Sequence, residues 1–289
     1  MFSFIYWDPN PEVFVIPWLN WPILWYGVCF ASGFAVGFLI FYILLFRALK
    51  IEGGETVSVL KKRAMFLTDR ITVYMIASTI LGARLGHFLF YESPSEYLSH
   101  PLEFFMIRKG GLASHGAAIG IVLGLFLFAR RYKKDLGKIG TLGLLDLISV
   151  PAAFVGACIR VGNFVNQEIL GTKTSVPWAV IFGHPMDHSL PVPRHPVQLY
   201  EALFYLIVFG ILWRLTYVSK YFLTSGRLIG LFLTLVFSGR FFLEFFKEEQ
   251  SALLEKSFLT MGQILSVVPI FVGLYLWFRR IGNSSSKLS

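Results

Sequence analysis

Along this chain the apolar residues gather in long unbroken runs rather than on one face of a helix or at alternate positions. Seven runs are long enough to cross a hydrocarbon core of about 30 Å. They fall near residues 23–46, 71–91, 112–129, 141–159, 197–215, 228–246 and 260–278. An unpaired peptide group is costly in lipid, so each run is expected to be a helix, whose backbone bonds close internally. The pattern predicts an all-α integral membrane protein, a bundle of about seven transmembrane helices. Glycines at Gly33 and Gly37, Gly82 and Gly86, Gly116, Gly120 and Gly124, and Gly226 and Gly230 repeat a spacing that lets helix backbones approach closely. Residues 1–22 hold Trp7, Trp18 and Trp21 with several prolines and no Lys or Arg. This segment reads as an interfacial arm on the outer surface, where indole rings sit well. Residues 172–196 form a long outer loop carrying Pro177, Pro185, Pro191, Pro193 and Pro196, and a loop of that length in a compact protein is often functional. The organisation expected is an arm at 1–22, a bundle at 23–279 that includes the outer loop, and a tail at 280–289. There is no tandem repeat and no second, soluble domain in the pattern.

Composition agrees with lipid as the main solvent. Apolar residues make up 55% and charged residues 15% of the 289-residue chain, where a soluble domain carries about a quarter charged residues. Mean hydropathy is +0.65. The formal net charge of +9 would point to nucleic acid in a soluble protein, but no basic block interleaved with exposed aromatics is present. Instead the Lys and Arg cluster on alternate loops, at Lys61-Lys62-Arg63, Arg130-Arg131, Lys133-Lys134 and Arg279-Arg280. Those loops are expected to be cytoplasmic, with the N-terminus outside and the C-terminus inside. Cys29 and Cys158 both lie in apolar runs and read as small buried hydrophobes rather than a disulfide or metal framework. The segment Met1–Trp7 has no positive n-region, so it is not read as a secretory leader.

Charges inside apolar spans are expensive, so each needs a reason. Arg84 sits in the second span, His115 opens the third, Arg160 ends the fourth, and Arg240 and Glu244 lie four residues apart in the sixth, on one helical face. With the sidedness above, these fall near the outer end of their spans. They are joined there by Tyr26, His87, Asn163, Glu168, Arg194, His195, Gln198 and Glu201. Singly each has an ordinary structural reading, as an ion pair, a snorkelling arginine or a packing histidine. Collected at one depth, they define a cationic, histidine-bearing cavity facing the outer leaflet, suited to an anionic phospholipid headgroup. The chain has no His-Glu-x-x-His, no Gly-x-Ser-x-Gly and no phosphate-binding Gly-x-x-x-x-Gly-Lys-Ser/Thr, which leaves zinc proteases, serine hydrolases and ATP-driven machines without support. A transporter would need its polar set at mid-membrane. A lipid-binding scaffold would account for the arginines but not for the histidine and the paired motifs.

Residues 160–171 read Arg-Val-Gly-Asn-Phe-Val-Asn-Gln-Glu-Ile-Leu-Gly. This stretch resembles the signature of prolipoprotein diacylglyceryl transferases, roughly Arg-x-Gly-Asn-Phe-x-Asn-x-Glu-x-x-Gly. Further elements stand in that family's order: Trp25-Tyr-Gly27, Gly82-Ala-Arg-Leu-Gly86, the stretch around His115, Arg194-His-Pro-Val-Gln-Leu-Tyr-Glu201, Arg240-Phe-Phe-Leu-Glu244 and Met261-Gly-Gln263. The resemblance implies that phosphatidylglycerol donates its diacylglyceryl group to the lipobox cysteine of a prolipoprotein signal peptide, in the bacterial cytoplasmic (inner) membrane. No cofactor or metal is implied. It further implies His115 as the base, Arg160 and Arg240 as the phosphate clamp, and Glu244 as the residue orienting Arg240. Asn163, Glu168 and Tyr26 would shape the headgroup site, Gly171 would allow a tight turn near it, and Arg84 and Arg194 are additional candidates. Two departures are visible. His115 is followed by Gly116-Ala117 rather than two glycines. The family's Arg-x-Pro-Asp after the sixth span is replaced by Lys247-Glu-Glu-Gln250, and no role is carried over from that segment.

Overall fold

The structure, a computed structural model, describes residues 4–91, 113–218, 222, 225–248 and 259–279. Eight α-helices dominate it: α1 (Trp25–Glu52), α2 (Val57–Tyr91), α3 (Ser114–Arg131), α4 (Lys133–Leu136), α5 (Thr141–Val165), α6 (Val197–Leu215), α7 (Arg227–Leu243) and α8 (Met261–Phe278). A single 3-10 turn, Glu244–Phe246, continues α7. Among the described residues six of these helices, α1, α2, α5, α6, α7 and α8, are long and apolar enough to cross a bilayer. The fold is therefore the expected helical membrane bundle. The run near 112–129 becomes α3; its first residue, 112, the polar tail 280–289, and Glu249 and Gln250 lie outside the described residues.

The helix boundaries differ from the apolar runs where physics separates the two. Helix α2 begins at Val57, not near 71, and its 35 residues span about 52 Å, far more than a hydrocarbon core. Its first turns carry Lys61, Lys62 and Arg63, whose charge hides a helix from a hydropathy reading. Helices α5 and α8 hold Pro151 and Pro269 in their interiors, a placement membrane bundles tolerate. The arm and the outer loop also contain short strands that the apolar runs do not reveal. Strands β1 (Ile5–Trp7), β4 (Val180–Phe182) and β5 (Pro193–Arg194) form one sheet, β1 parallel to β4 and β4 antiparallel to β5. Strands β2 (Glu12–Ile16) and β3 (Trp21–Leu24) form a separate antiparallel pair.

The chain divides into two compact units, 41–147 and the remainder. In the first, α2 and α3 meet along glycines. A Cβ on Gly82 would lie 2.8 Å from the Cα of Gly120, and one on Gly86 would lie 2.7 Å from the Cα of Gly116. The backbones touch because no side chain stands between them, which is what the glycine spacing predicts. In the second unit, Gly33 packs against Cys158 and Gly37 against Val155, joining α1 to α5, while Gly230 and Gly273 bring α7 against α8. Gly226 departs from that pattern: it is the left-handed N-cap of α7, with φ +94°. The sheet of the second unit rests on Phe164, Leu170, Val180 and Phe182, with Trp7 packed beside them. The Trp7 indole also donates to the carbonyl of Phe164 at 3.2 Å. The N-terminal segment is thus stitched to the end of α5 and to the 172–196 loop.

Candidate active site

The site is built on the end of α5. Arg160 faces the Oε2 of Glu201 through its Nε at 3.1 Å and donates through Nη1 to Asn163 Oδ1 at 3.2 Å. Asn163 in turn donates to Glu168 Oε1 at 2.8 Å. Glu168 can reach back because the chain reverses sharply after the helix. Gln167 and Ile169, on either side of it, both take left-handed backbone angles, φ 53° and 57°. The Glu168 amide then closes onto the carbonyl of Asn163 at 3.1 Å. A β-branched residue such as Ile169 rarely adopts this conformation, and strain of about 1–3 kcal/mol per residue is characteristic of functional loops. Tyr26, at the start of α1, hydrogen-bonds Asn163 and lies within electrostatic reach of Arg160 and Glu168.

A second layer comes from α6 and the end of α7. Glu201 is buried at 1% exposure and is shared: its other oxygen lies 2.7 Å from the Nζ of Lys247. Tyr205, one turn on from Glu201, hydrogen-bonds Arg160 and sits in the field of Arg240. The pair expected between Arg240 and Glu244 is not among the ion pairs of the described residues. Helix α7 ends at Leu243, yet the Glu244 amide still donates to the Arg240 carbonyl, so the two residues keep the four-residue register and it is the Glu244 side chain that is drawn elsewhere. Glu244 instead meets Lys247 at 3.3 Å and lies against Gly262, where a Cβ would collide with its carboxylate. That contact explains Met261-Gly-Gln263. Gly262 makes room for Glu244, while Thr260 and Gln263 cap the start of α8 reciprocally.

Gly171 fixes where Lys247 stands. A Cβ there would strike the carbonyl oxygen of His195, so only glycine lets the two strands close. Gly171 then bridges Lys247 antiparallel, flanked by hydrogen bonds from the Thr172 amide to Phe246 at 2.8 Å and from the Glu248 amide to Leu170 at 3.1 Å. Arg194 is 2% exposed. It holds this junction by donating to the Gly171 carbonyl at 3.2 Å and to Ser189 at 3.1 Å and by pairing with Glu248. His195 meets the hydroxyl of Tyr200 at 3.2 Å, and that hydroxyl accepts from Trp178 at 2.6 Å. Gln198 donates to the Glu168 carbonyl at 2.7 Å.

These elements enclose a cavity of about 250 Å³ whose wall includes Arg160, Arg240, Glu244, Lys247 and Gly262. The Nε of Arg240 is buried and has no hydrogen-bond partner among the described residues. An unpaired buried donor is costly, and the planar guanidinium that carries it lines the cavity together with that of Arg160, an arrangement that matches a phosphate. Arg84 and His115 belong to the other unit. There Arg84 is 4% exposed with its guanidinium 5.1 Å from the centre of the Phe88 ring, and His115 stacks edge-on against Phe90 at 5.0 Å. Clear of the spans, Asp8 accepts from Gln167 at 3.2 Å and meets the ring of His184 at 2.6 Å. The hydrogen bond to His184 is the main cause holding its carboxyl below the ordinary value of 3.8.

Lys247 and Tyr205 are the members of this site that sequence reasoning missed. Tyr205 had a signal, since it lies four residues beyond Glu201 on one helical face. Lys247 had none: it follows a span, where a lysine is ordinary.

Helices long and apolar enough to cross a bilayer, with Arg160, Arg240 and Lys247 on one cavity wall, define a membrane protein with a cationic site. A family model described as prolipoprotein diacylglyceryl transferase matches residues 11–279. The chain is 39% identical to the phosphatidylglycerol--prolipoprotein diacylglyceryl transferase of Tolumonas auensis, over 94% of this chain and 96% of that protein. It is 39% identical to that of Chloroherpeton thalassium over 96% and 95%, and 33% identical to that of Protochlamydia amoebophila over 96% and 95%. The chain belongs to the prolipoprotein diacylglyceryl transferase family, and it is a transferase.

Proposed function

We propose that this protein transfers the sn-1,2-diacylglyceryl group of phosphatidylglycerol to the lipobox cysteine thiol of a prolipoprotein. It would act in a bacterial cytoplasmic membrane with its N-terminus outside and its C-terminus cytoplasmic. The observation that carries this reading is the pair of guanidiniums, Arg160 and Arg240, on one cavity wall. The sulfur attacks the glycerol carbon that bears the phosphate ester. The new C–S bond forms as the C–O bond breaks, the electron pair leaves with glycerol phosphate, and the thiol proton passes to a base. His115 is that base, since imidazole is the side chain best poised to take a thiol proton near neutral pH. Arg160 and Arg240 hold the phosphate as negative charge grows on it. Asn163, Tyr26 and Glu168 shape the headgroup site, and Arg194 with Gly171 fixes the strand beside it. Arg84 is a further candidate for binding phosphatidylglycerol. The reading is tested with purified protein, phosphatidylglycerol and a lipobox peptide, following peptide mass and glycerol phosphate. A thioether adduct in step with glycerol phosphate supports it. Folded protein that binds phosphatidylglycerol and yields no adduct returns the weight to a lipid-binding or transport role.

A further inference from the structure

We propose that Lys247 is a positioning residue of the transfer site, holding one buried and one half-buried carboxylate so that Arg160 and Arg240 keep their positive charge for the phosphate. The proposal rests on the transfer reading above. One ammonium serves both acids, 2.7 Å from Glu201 and 3.3 Å from Glu244, with the lysine side chain only 10% exposed. Glu201 is the shared partner, because its second oxygen faces Arg160 at 3.1 Å.

The charges around Lys247 are those of Arg160 on α5, Glu201 on α6, Arg240 and Glu244 at the end of α7, Glu248, which is engaged by Arg194, and Glu168, which reaches Arg160 through Asn163. Helix α8 gives the cavity wall Met261, Gly262 and Leu265 but no charge. With Lys247 present, Arg160 and the ammonium answer Glu201, the ammonium answers Glu244, and Arg240 forms no ion pair among the described residues, so its charge is left to meet a phosphodiester. Without Lys247, Glu201 loses one of its two cations and Glu244 its ammonium, and an incoming phosphate meets a wall with one cation fewer. Buried charges are screened little, so this balance is felt at full strength. The lysine is held to the task by its backbone: the bridge to Gly171 turns it inward, and an ammonium, as a compact point charge, can address two acids from a single atom.

The test is steady-state transfer by purified protein from phosphatidylglycerol to a lipobox peptide, normalised to folded protein. Lys247→Met is expected to lower kcat about ten- to a hundredfold and to raise KM for phosphatidylglycerol, while Lys247→Arg keeps most of the wild-type rate. The double variant Lys247→Met/Glu201→Gln removes one negative charge along with the positive one and should be faster than Lys247→Met alone. A lysine that only supports the fold would lower the yield of folded protein and leave kcat and KM per folded molecule unchanged, and the second substitution would make matters worse. Either result overturns the proposal, as does a Lys247→Arg variant as slow as Lys247→Met. If the wild type transfers nothing, the transfer reading itself fails; if wild type and Lys247→Met transfer alike, only the role of Lys247 falls.

Discussion

Arg160 and Arg240 reach one cavity wall from helices far apart in the chain, but they are not equivalent. Arg160 is bound to Glu201 and Asn163, whereas Arg240 keeps a buried donor open. Arg160→Ala would therefore take one of two cationic partners from a buried carboxylate, a loss of about 1.5–3 kcal/mol, while Arg240→Ala removes a guanidinium with an unpaired donor. Both variants should insert into the membrane and lose transfer by about a hundredfold or more. Thermal denaturation in detergent should separate them, with only Arg160→Ala markedly less stable; near-normal transfer by either would remove it from the phosphate clamp. His115→Gln should be severely slowed, and a wild-type rate and pH profile would locate the base elsewhere. At the surface, the depressed Asp8 carboxyl stabilises the arm above its ordinary value of 3.8, and that contribution is lost as pH falls through its lower folded value. Hydrogen exchange of the β1–β4 amides should thus be faster in Asp8→Asn than in wild type at neutral pH, with the difference closing only in strong acid. Arg160 and Arg240 were legible in the sequence because a charge in an apolar run demands a reason. Lys247 was not, because its partners become visible only when α6, α7 and the Gly171 strand are brought together.

At the scale of elements, the spans could be read because lipid leaves the backbone little choice but a helix. The strands could not. Strand β1 pairs with β4 across more than half the chain, and three-residue strands carry no periodicity of their own. The glycine spacing also told more than composition could, since it marked the α2–α3 contact where backbone meets backbone. Gly116→Leu should force those helices apart, costing at least the 1–3 kcal/mol typical of overpacking, and disulfide trapping between cysteines placed on α2 and α3 should weaken. Gly171→Ala has no such latitude, because the obstacle is the His195 carbonyl. It should unseat Lys247 and reduce transfer more than it reduces folded yield, which activity per folded molecule would reveal.

Over the whole molecule, the hydropathy and the signature motif together gave the family and the reaction class, and the comparisons agree over nearly the full chain. The assignment of His115 stands on the resemblance, since His115 lies in a different unit from Arg160 and Arg240. The orientation read from Lys and Arg is open to a direct check. In a variant with Cys29 and Cys158 replaced by Ala, a cysteine at exposed Met186 should react with a membrane-impermeant maleimide in intact cells. One at Lys62 should react only after the membrane is opened. The reverse pattern would invert the topology.

Gly171 and Gly262 are both small because something else occupies their space, yet the two should have different histories. At position 262 the occupant is the carboxylate tip of Glu244, so an alanine there could be accommodated by a lineage that also shortened residue 244 to Asp. The two sites are free to drift only as a pair. At position 171 the occupant is a carbonyl oxygen of the main chain, which no exchange of side chain can withdraw. Among descendants of this sequence, then, position 262 should vary in step with 244, and position 171 should not vary at all.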